Sequence, residues 1–267
     1  MLLSVTLAGS SMLVSGTGLA ASPISSPSTI ATPTLLPATS SAWGRVPFEA
    51  GLRDPFGSSS MVAVTSGPSG IVAVGSAPTG AAAWRSVDGL TWQRALQPPS
   101  WDRAGLRDVT ATATGYIAVG DVDVTHGGRY RTAGAAWTSE DGLQWRRVAQ
   151  GLGSAITRVT TSSTGLVAVV KGTKAGEEVI ASTNGVDWRT IRPGTGHLDM
   201  PALLADGSIL MAGGSDFDPQ AGWHAAITVS RDEGATWQDA AFAGDPTGSI
   251  GDIVPFGGGY VAVGQGG

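Results

Sequence analysis

Five times along the chain a run of four or five apolar residues, mostly β-branched, follows a glycine. The copies are Gly70-Ile71-Val72-Ala73-Val74-Gly75, Gly115-Tyr116-Ile117-Ala118-Val119-Gly120 and Gly165-Leu166-Val167-Ala168-Val169-Val170, with a weaker Gly207-Ser208-Ile209-Leu210-Met211-Ala212-Gly213 and a last Gly259-Tyr260-Val261-Ala262-Val263-Gly264. No polar residue alternates within these runs, which predicts short strands buried on both faces. A looser, alternating strand precedes the run at Met61–Val64, Leu106–Ala113, Ile156–Thr160 and Ile250–Val254.

A second pattern follows each of the first four runs. It reads Ser86-Val87-Asp88-Gly89-Leu90-Thr91-Trp92, Ser139-Glu140-Asp141-Gly142-Leu143-Gln144-Trp145 and Ser182-Thr183-Asn184-Gly185-Val186-Asp187-Trp188, then one residue longer as Ser230-Arg231-Asp232-Glu233-Gly234-Ala235-Thr236-Trp237. The Asp or Asn can accept from backbone N–H groups ahead of it and tighten a turn, and the glycine supplies positive φ. The tryptophan then starts a further strand and fills space against a neighbouring sheet. Asn184 keeps the turn chemistry without the charge, so the turn matters more than the charge. The serines are spaced by 53, 43 and 48 residues. Four short antiparallel strands per period of this length predict an all-β β-propeller of four-stranded blades, with about five blades visible.

The two ends of the pattern are unequal. Trp43-Gly44-Arg45-Val46 matches the fourth strands that begin at Trp92 and Trp145, and could complete the last blade. After Gly264 only Gln265-Gly266-Gly267 remain, which leaves the last blade without a third strand. Either the chain stops short, as a fragment of a six- or seven-bladed propeller, or the fifth blade has three strands; the first is favoured.

Composition narrows the class. Forty glycines suit many tight turns, and the absence of cysteine excludes disulfides, Cys-ligated zinc and Cys nucleophiles. A net charge of −5 with no basic stripe argues against a nucleic-acid partner. Residues 1–21 are apolar and small, with Gly18-Leu19-Ala20-Ala21 offering a cleavage site, although the usual N-terminal Lys or Arg is missing. They predict a signal peptide, hence a secreted or cell-envelope protein, and are too short and weak for a transmembrane segment. Residues 22–41, with four prolines among Ser and Thr, predict a linker, and the propeller is expected over 42–267.

The Ser-x-Asp-Gly-x-x-Trp unit resembles the Asp-box, or bacterial neuraminidase repeat, of the sialidase-like superfamily. The resemblance assigns a structural role to Ser86, Asp88, Gly89, Trp92, Ser139, Asp141, Gly142, Trp145, Ser182, Asn184, Gly185, Trp188, Ser230, Asp232, Gly234 and Trp237. In that family the boxes lie on outer hairpins, away from the central site, and occur in proteins of several functions. Sialidases add three arginines, a Tyr–Glu nucleophile pair and an Asp acid or base. Arg45-Val46-Pro47 resembles the motif of the first arginine, but Gly44 replaces its aromatic residue. Tyr116 and Tyr260 open apolar runs and read as packing residues. Tyr130 is the remaining candidate, without a clear Glu partner. No catalytic residue is assigned.

The face opposite the boxes should carry the longer, varied loops, where binding residues concentrate. Candidates there are Trp101 and Arg103; Asp121, Asp123, His126, Arg129, Tyr130 and Arg131; Arg192 and His197; and Asp216, Asp218, Trp223 and His224. Aromatic, basic and acidic groups in this mixture suit sugar or peptide recognition. The Asp pairs fall short of a calcium loop and the histidines lack a zinc spacing, so no metal and no cofactor is expected. The reading is therefore an exported, non-catalytic, monomeric propeller that binds a protein or glycan through its loop face. The alternative is a sialidase-type glycoside hydrolase, and a bare scaffold is a third possibility.

Overall fold

The computed structural model describes residues 2–5, 58–126, 129–171, 176–194, 199–218, 222–242 and 247–266. Strand β1 (Leu2–Val5) stands at the start of the chain. The first blade is β2 (Ser60–Gly67), β3 (Gly70–Ala77), β4 (Gly80–Ser86) and β5 (Trp92–Arg94). The second is β6 (Ala104–Thr112), β7 (Gly115–His126), β8 (Arg129–Ser139) and β9 (Arg146–Gln150). The third is β10 (Ala155–Ser162), β11 (Gly165–Lys171), β12 (Glu177–Ser182) and β13 (Arg189–Arg192). The fourth is β14 (Asp199–Asp206), β15 (Ile209–Asp218), β16 (Gly222–Ser230) and β17 (Gln238–Asp239). Each is a four-stranded antiparallel meander, and the leading strands of successive blades pack side by side. The fold is a five-bladed β-propeller.

The fifth blade is β18 (Ser249–Phe256), β19 (Gly259–Gln265) and, in the third-strand place, β1. The third strand that the C-terminal sequence lacks thus comes from the N-terminus. Val5 lies opposite Tyr260 and Leu3 opposite Ala262, the register in which Ser86 and Trp84 lie opposite Ile71 and Ala73. The closing strand expected at Trp43–Val46 falls outside the described residues.

The apolar runs are second strands; the first four are buried on both sides as their pattern requires, while that of the fifth blade buries Ala262 and leaves Val263 exposed. Val72 and Val74 face the second blade, in one cluster with Val109, Tyr116, Ala118 and Trp137. Ile117 and Val119 face the third, against Ile156, Val159, Leu166 and Ala168. Val167, Val169 and Val179 face the fourth, against Met200, Leu210 and Ala212. The core is therefore a series of seams between sheets rather than a single centre.

The first three box turns share one hydrogen-bond scheme. Asp88 Oδ1 accepts from the N–H of Leu90 (2.8 Å) and of Thr91 (2.7 Å), while Gly89 N–H donates to Ser86 Oγ (2.8 Å). Asp141 and Asn184 repeat it with the N–H groups of Leu143 and Gln144, and of Val186 and Asp187. Backbone donors from Thr91 and Leu90 hold the Asp88 carboxyl down to about 2. The neutral Asn184 accepts the same bonds, so the geometry does not require a charge. In the longer fourth copy Glu233 takes a left-handed φ of 58°, and Trp237 Nε1–H donates across the seam to Ile191 O (3.0 Å).

Candidate functional site

The turns set the polarity of the molecule: box turns and the hairpins after each leading strand on one face, the remaining connections on the other. Leading strands start at this second, loop face. Each carries a bulge near its start: between Met61 and Ala63, Leu106 and Asp108, Ile156 and Arg158, Asp199 and Ala202, and Ile250 and Asp252. A bulge adds a residue and re-aims those beside it. The residue after it is Ala63, Asp108, Arg158, Ala202 or Asp252, so three of five equivalent places on the inner strands carry charge.

Asp108 is largely enclosed. Burial raises its carboxyl above the usual range, against the N–H groups of Val159 (2.9 Å) and Val109 (2.8 Å) and the charge of Arg158. It ties the bulged strand of blade two to that of blade three. Arg107, the bulge residue itself, pairs with buried Asp121 at 2.5 Å.

A second group lies where blades three and four meet. Glu177 opens β12 and is 6% exposed; its Oε2 accepts from the N–H of Met200, beside Asp199 at the head of β14. Burial, with the nearby charge of Asp199, pushes Glu177 up to about 7, although the Met200 N–H pulls the other way. Glu177 therefore holds a proton over much of the range below neutrality, as a general acid must. Arg192 ends β13 at 8% exposure; burial lowers its pKa, opposed by Asp239 and Asp216.

The candidates read from the sequence divide. Trp101 is a correction: it is 1% exposed in a 3₁₀ turn, 6.2 Å from the Trp145 ring, and its ring serves the seam rather than a ligand. Arg103 is exposed with φ 56°, and its carbonyl accepts from Asp123 N–H (2.9 Å). The expected loop over 121–131 is instead a long hairpin, because its alternating residues extend β7 and β8 beyond the blade. Asp123 and Arg131 are exposed on it; the side chains of His126, Arg129 and Tyr130 lie outside the described residues, as does His197.

The expected loop after Ser215 is likewise a hairpin. Asp216 pairs with His224 and Phe217 with Trp223, while Asp218 lies opposite Gly222. The exposed Phe217 and Trp223 rings stand 5.3 Å apart. His224 Nδ1 lies 3.4 Å from Gly222 O. Tyr116 is fully buried, packing as its run position implies, and the partly exposed Tyr260 donates its Oη–H to Asp206 (3.1 Å).

The sequence reading passed over Glu177, Asp199, Asp108, Arg107, Arg158 and Asp252. Position at the start of a leading or third strand was the available signal; the bulges that orient the leading-strand residues left none. Among the described residues no three His, Asp or Glu stand close enough to hold a metal, and no helix is long and apolar enough to cross a membrane.

A groove lies elsewhere on the molecule. About 680 Å³ between blades two and three, on the box face, is lined by Thr112, Thr138, Thr161, Ser162, Thr183 and Asn184 with apolar neighbours. It contains no titratable group and can supply no acid or base.

No family model and no curated protein matches the sequence. Solved structures do match. Exo-β-1,3-galactanase from Phanerochaete chrysosporium, crystallised with β-1,3-galactotriose, is 10% identical with a TM-score of 0.51, over 76% of this chain and 55% of that one. The exo-β-1,3-galactanase 1,3Gal43A of Clostridium thermocellum is 10% identical with a TM-score of 0.48, over 74% and 52%. The chain thus spans about half the length of these two proteins. An exo-1,5-α-L-arabinanase from a bovine ruminal metagenomic library is 10% identical with a TM-score of 0.46, over 79% and 89%. The likeness to the first is one of fold alone: both are β-propellers.

Proposed function

We propose that the chain is a glycan-active propeller of glycoside-hydrolase type, working from its loop face. Glu177 carries the reading: a buried carboxyl raised to about 7, against Asp199, on the face where the inner strands are bulged. Glycosidic cleavage needs a protonated carboxyl to give its proton to the leaving oxygen and an ionised one to act as base or nucleophile. Glu177 fits the first role, and Asp199 and the exposed Asp252 are candidates for the second. The galactanase that shares the fold supports a neutral, β-linked substrate. Sialosides are the weaker choice, because Tyr116 is fully buried and the Tyr260 hydroxyl is engaged by Asp206.

The test is hydrolysis of a panel of neutral aryl glycosides and β-linked oligosaccharides, with one sialoside, by wild type and Glu177→Gln. Cleavage of a neutral member lost at least 100-fold in Glu177→Gln is the expected result. A folded wild type that cleaves nothing overturns the enzymatic reading. Binding without catalysis is the second reading, favoured by the exposed Phe217–Trp223 pair, whose rings suit stacking on a sugar.

Three of the four box turns share one bonding scheme and the fourth keeps its Ser–Gly bond, which supports assignment to the Asp-box propellers. Export through residues 1–21 belongs to the same proposal. Cleavage after Ala20 or Ala21 would remove β1, so N-terminal sequencing of secreted protein decides whether β1 or another strand covers β19 in the mature form.

A further inference from the structure

The seam between blades three and four holds two polar atoms that the seam itself does not use. Arg192 Nη1 and Thr228 Oγ1 are both buried without a hydrogen-bond partner among the described residues. Their directions follow from register. Arg192 lies opposite Val179, whose side chain packs toward blade four with Met200 and Leu210, so the guanidinium points the same way. Thr228 lies opposite Ala212, which faces blade three, and Asp239 lies opposite Thr228. Alternation along β15 puts Asp216, and with it His224, on that same face. Phe217 and Trp223 point the other way and belong to a different surface. Arg192, Asp216, His224, Thr228 and Asp239 therefore converge on one seam.

A buried guanidinium N–H and a buried hydroxyl left unpaired are costly, and native proteins satisfy such groups with protein, water or ligand. Arg192 is already balanced by the charges of Asp216 and Asp239. A further anion would meet those carboxylates together with Glu177 and Asp199. What the seam lacks is an uncharged group that both accepts and donates, which describes a sugar hydroxyl.

We propose that the loop-face end of this seam is a subsite for one unit of a neutral saccharide, whose hydroxyls accept from Arg192 Nη1 and donate to Asp216. The site rests on the glycan-active reading and adds to it, in the same seam as the acid Glu177, a second residue that touches sugar.

The experiment titrates the full chain with β-1,3-galactotriose, and separately with a trigalacturonate, by calorimetry. Arg192→Met, Arg192→Lys and Asp216→Asn are compared with wild type, with near-ultraviolet circular dichroism reporting the fold. The expected result is that folded Arg192→Met binds the neutral trisaccharide at least tenfold more weakly, Arg192→Lys recovers part of the loss, and trigalacturonate binds more weakly still. Asp216→Asn, at a half-exposed position, keeps the test open should Arg192→Met not fold, and is expected to lose severalfold. Equal binding by wild type and the folded variants overturns the subsite, leaving Nη1 to ordered water. Tighter binding of trigalacturonate overturns its neutral character. Oligosaccharide binding or hydrolysis that ignores all three substitutions removes this inference alone, whereas a wild type that neither binds nor cleaves any saccharide removes the glycan reading with it.

Discussion

Blade two and blade one are built from the same repeat, yet equivalent residues lead different lives. Val109 on β6 and Val64 on β2 occupy one register position, opposite Ala118 and Ala73. Val109 is 5% exposed and Val64 is 64% exposed. The fifth blade shows the complementary case: Val263 is largely exposed, while its counterparts Val74, Val119 and Val169 are fully buried. Glycines tell the same story. A Cβ on Gly142 would lie 2.5 Å from Val72 Cγ2 in the preceding blade, and one on Gly185 3.0 Å from Ile117. At Gly89, in the first blade, it would meet nothing nearer than Ile71 of its own blade, at 3.6 Å. A repeat sequence encodes a strand with two sticky faces; its neighbours decide how much each face contributes.

Three pairs of substitutions sharpen the contrast, largest effect first. Trp137→Ala empties a fully buried site in the first seam and should cost about 3–5 kcal/mol, whereas Trp223→Ala should cost under about 0.5 kcal/mol. Chemical denaturation of both variants measures the difference; equal losses would mean the seams do not carry the fold. Val109→Ala should cost about 2 kcal/mol and Val64→Ala well under about 1 kcal/mol. Gly142→Ala adds a clash with Val72 to the strain at φ 74°, so it should cost about 1 kcal/mol more than Gly89→Ala, which has only the strain of φ 75°.

The smallest effect concerns pH. Glu177 sits near 7 in the folded protein, against an ordinary value of 4.5. The folded state therefore binds the proton more tightly than the unfolded one, and that stabilisation is complete below pH 4.5 and lost as pH rises through 7. Wild type should lose a few °C of Tm between pH 5 and 8 relative to Glu177→Gln, read by thermal melts across that range. Parallel curves would show that Glu177 titrates like an exposed carboxyl.

Much of this architecture was legible from residue order. The glycine-bounded runs gave the second strands because burial on both faces removes alternation, and Asp88, Asp141, Asn184 and Asp232 gave the turns because their bonds are local. The bulges were not legible, since an extra residue in a strand changes register without changing composition. Nor was the end of Trp101 in a seam, which depends on Trp145 some forty residues away. Arg192 was picked as a loop residue from its neighbours Pro193 and Gly194, and its burial depends on β16 and β17. The hairpins at Asp121–Arg131 and Ser215–His224 read as loops because their tips extend past the seams, where polar residues are free to alternate. Local chemistry was readable; what one blade does to the next was not.

Tyr116 makes the coupling between blades concrete. Its hydroxyl donates to Gly70 O (2.8 Å) and accepts from Ser69 N–H (3.0 Å), riveting the second blade to a hairpin of the first. Among the described residues, contacts of this kind chiefly join each sheet to its immediate neighbours, which makes the molecule resemble a short one-dimensional array in thermodynamic terms. Such an array melts from its ends. Amide protons of blades one and five should exchange before those of blades two and three, and a cut near either terminus should fray the propeller progressively rather than abolish it at a stroke.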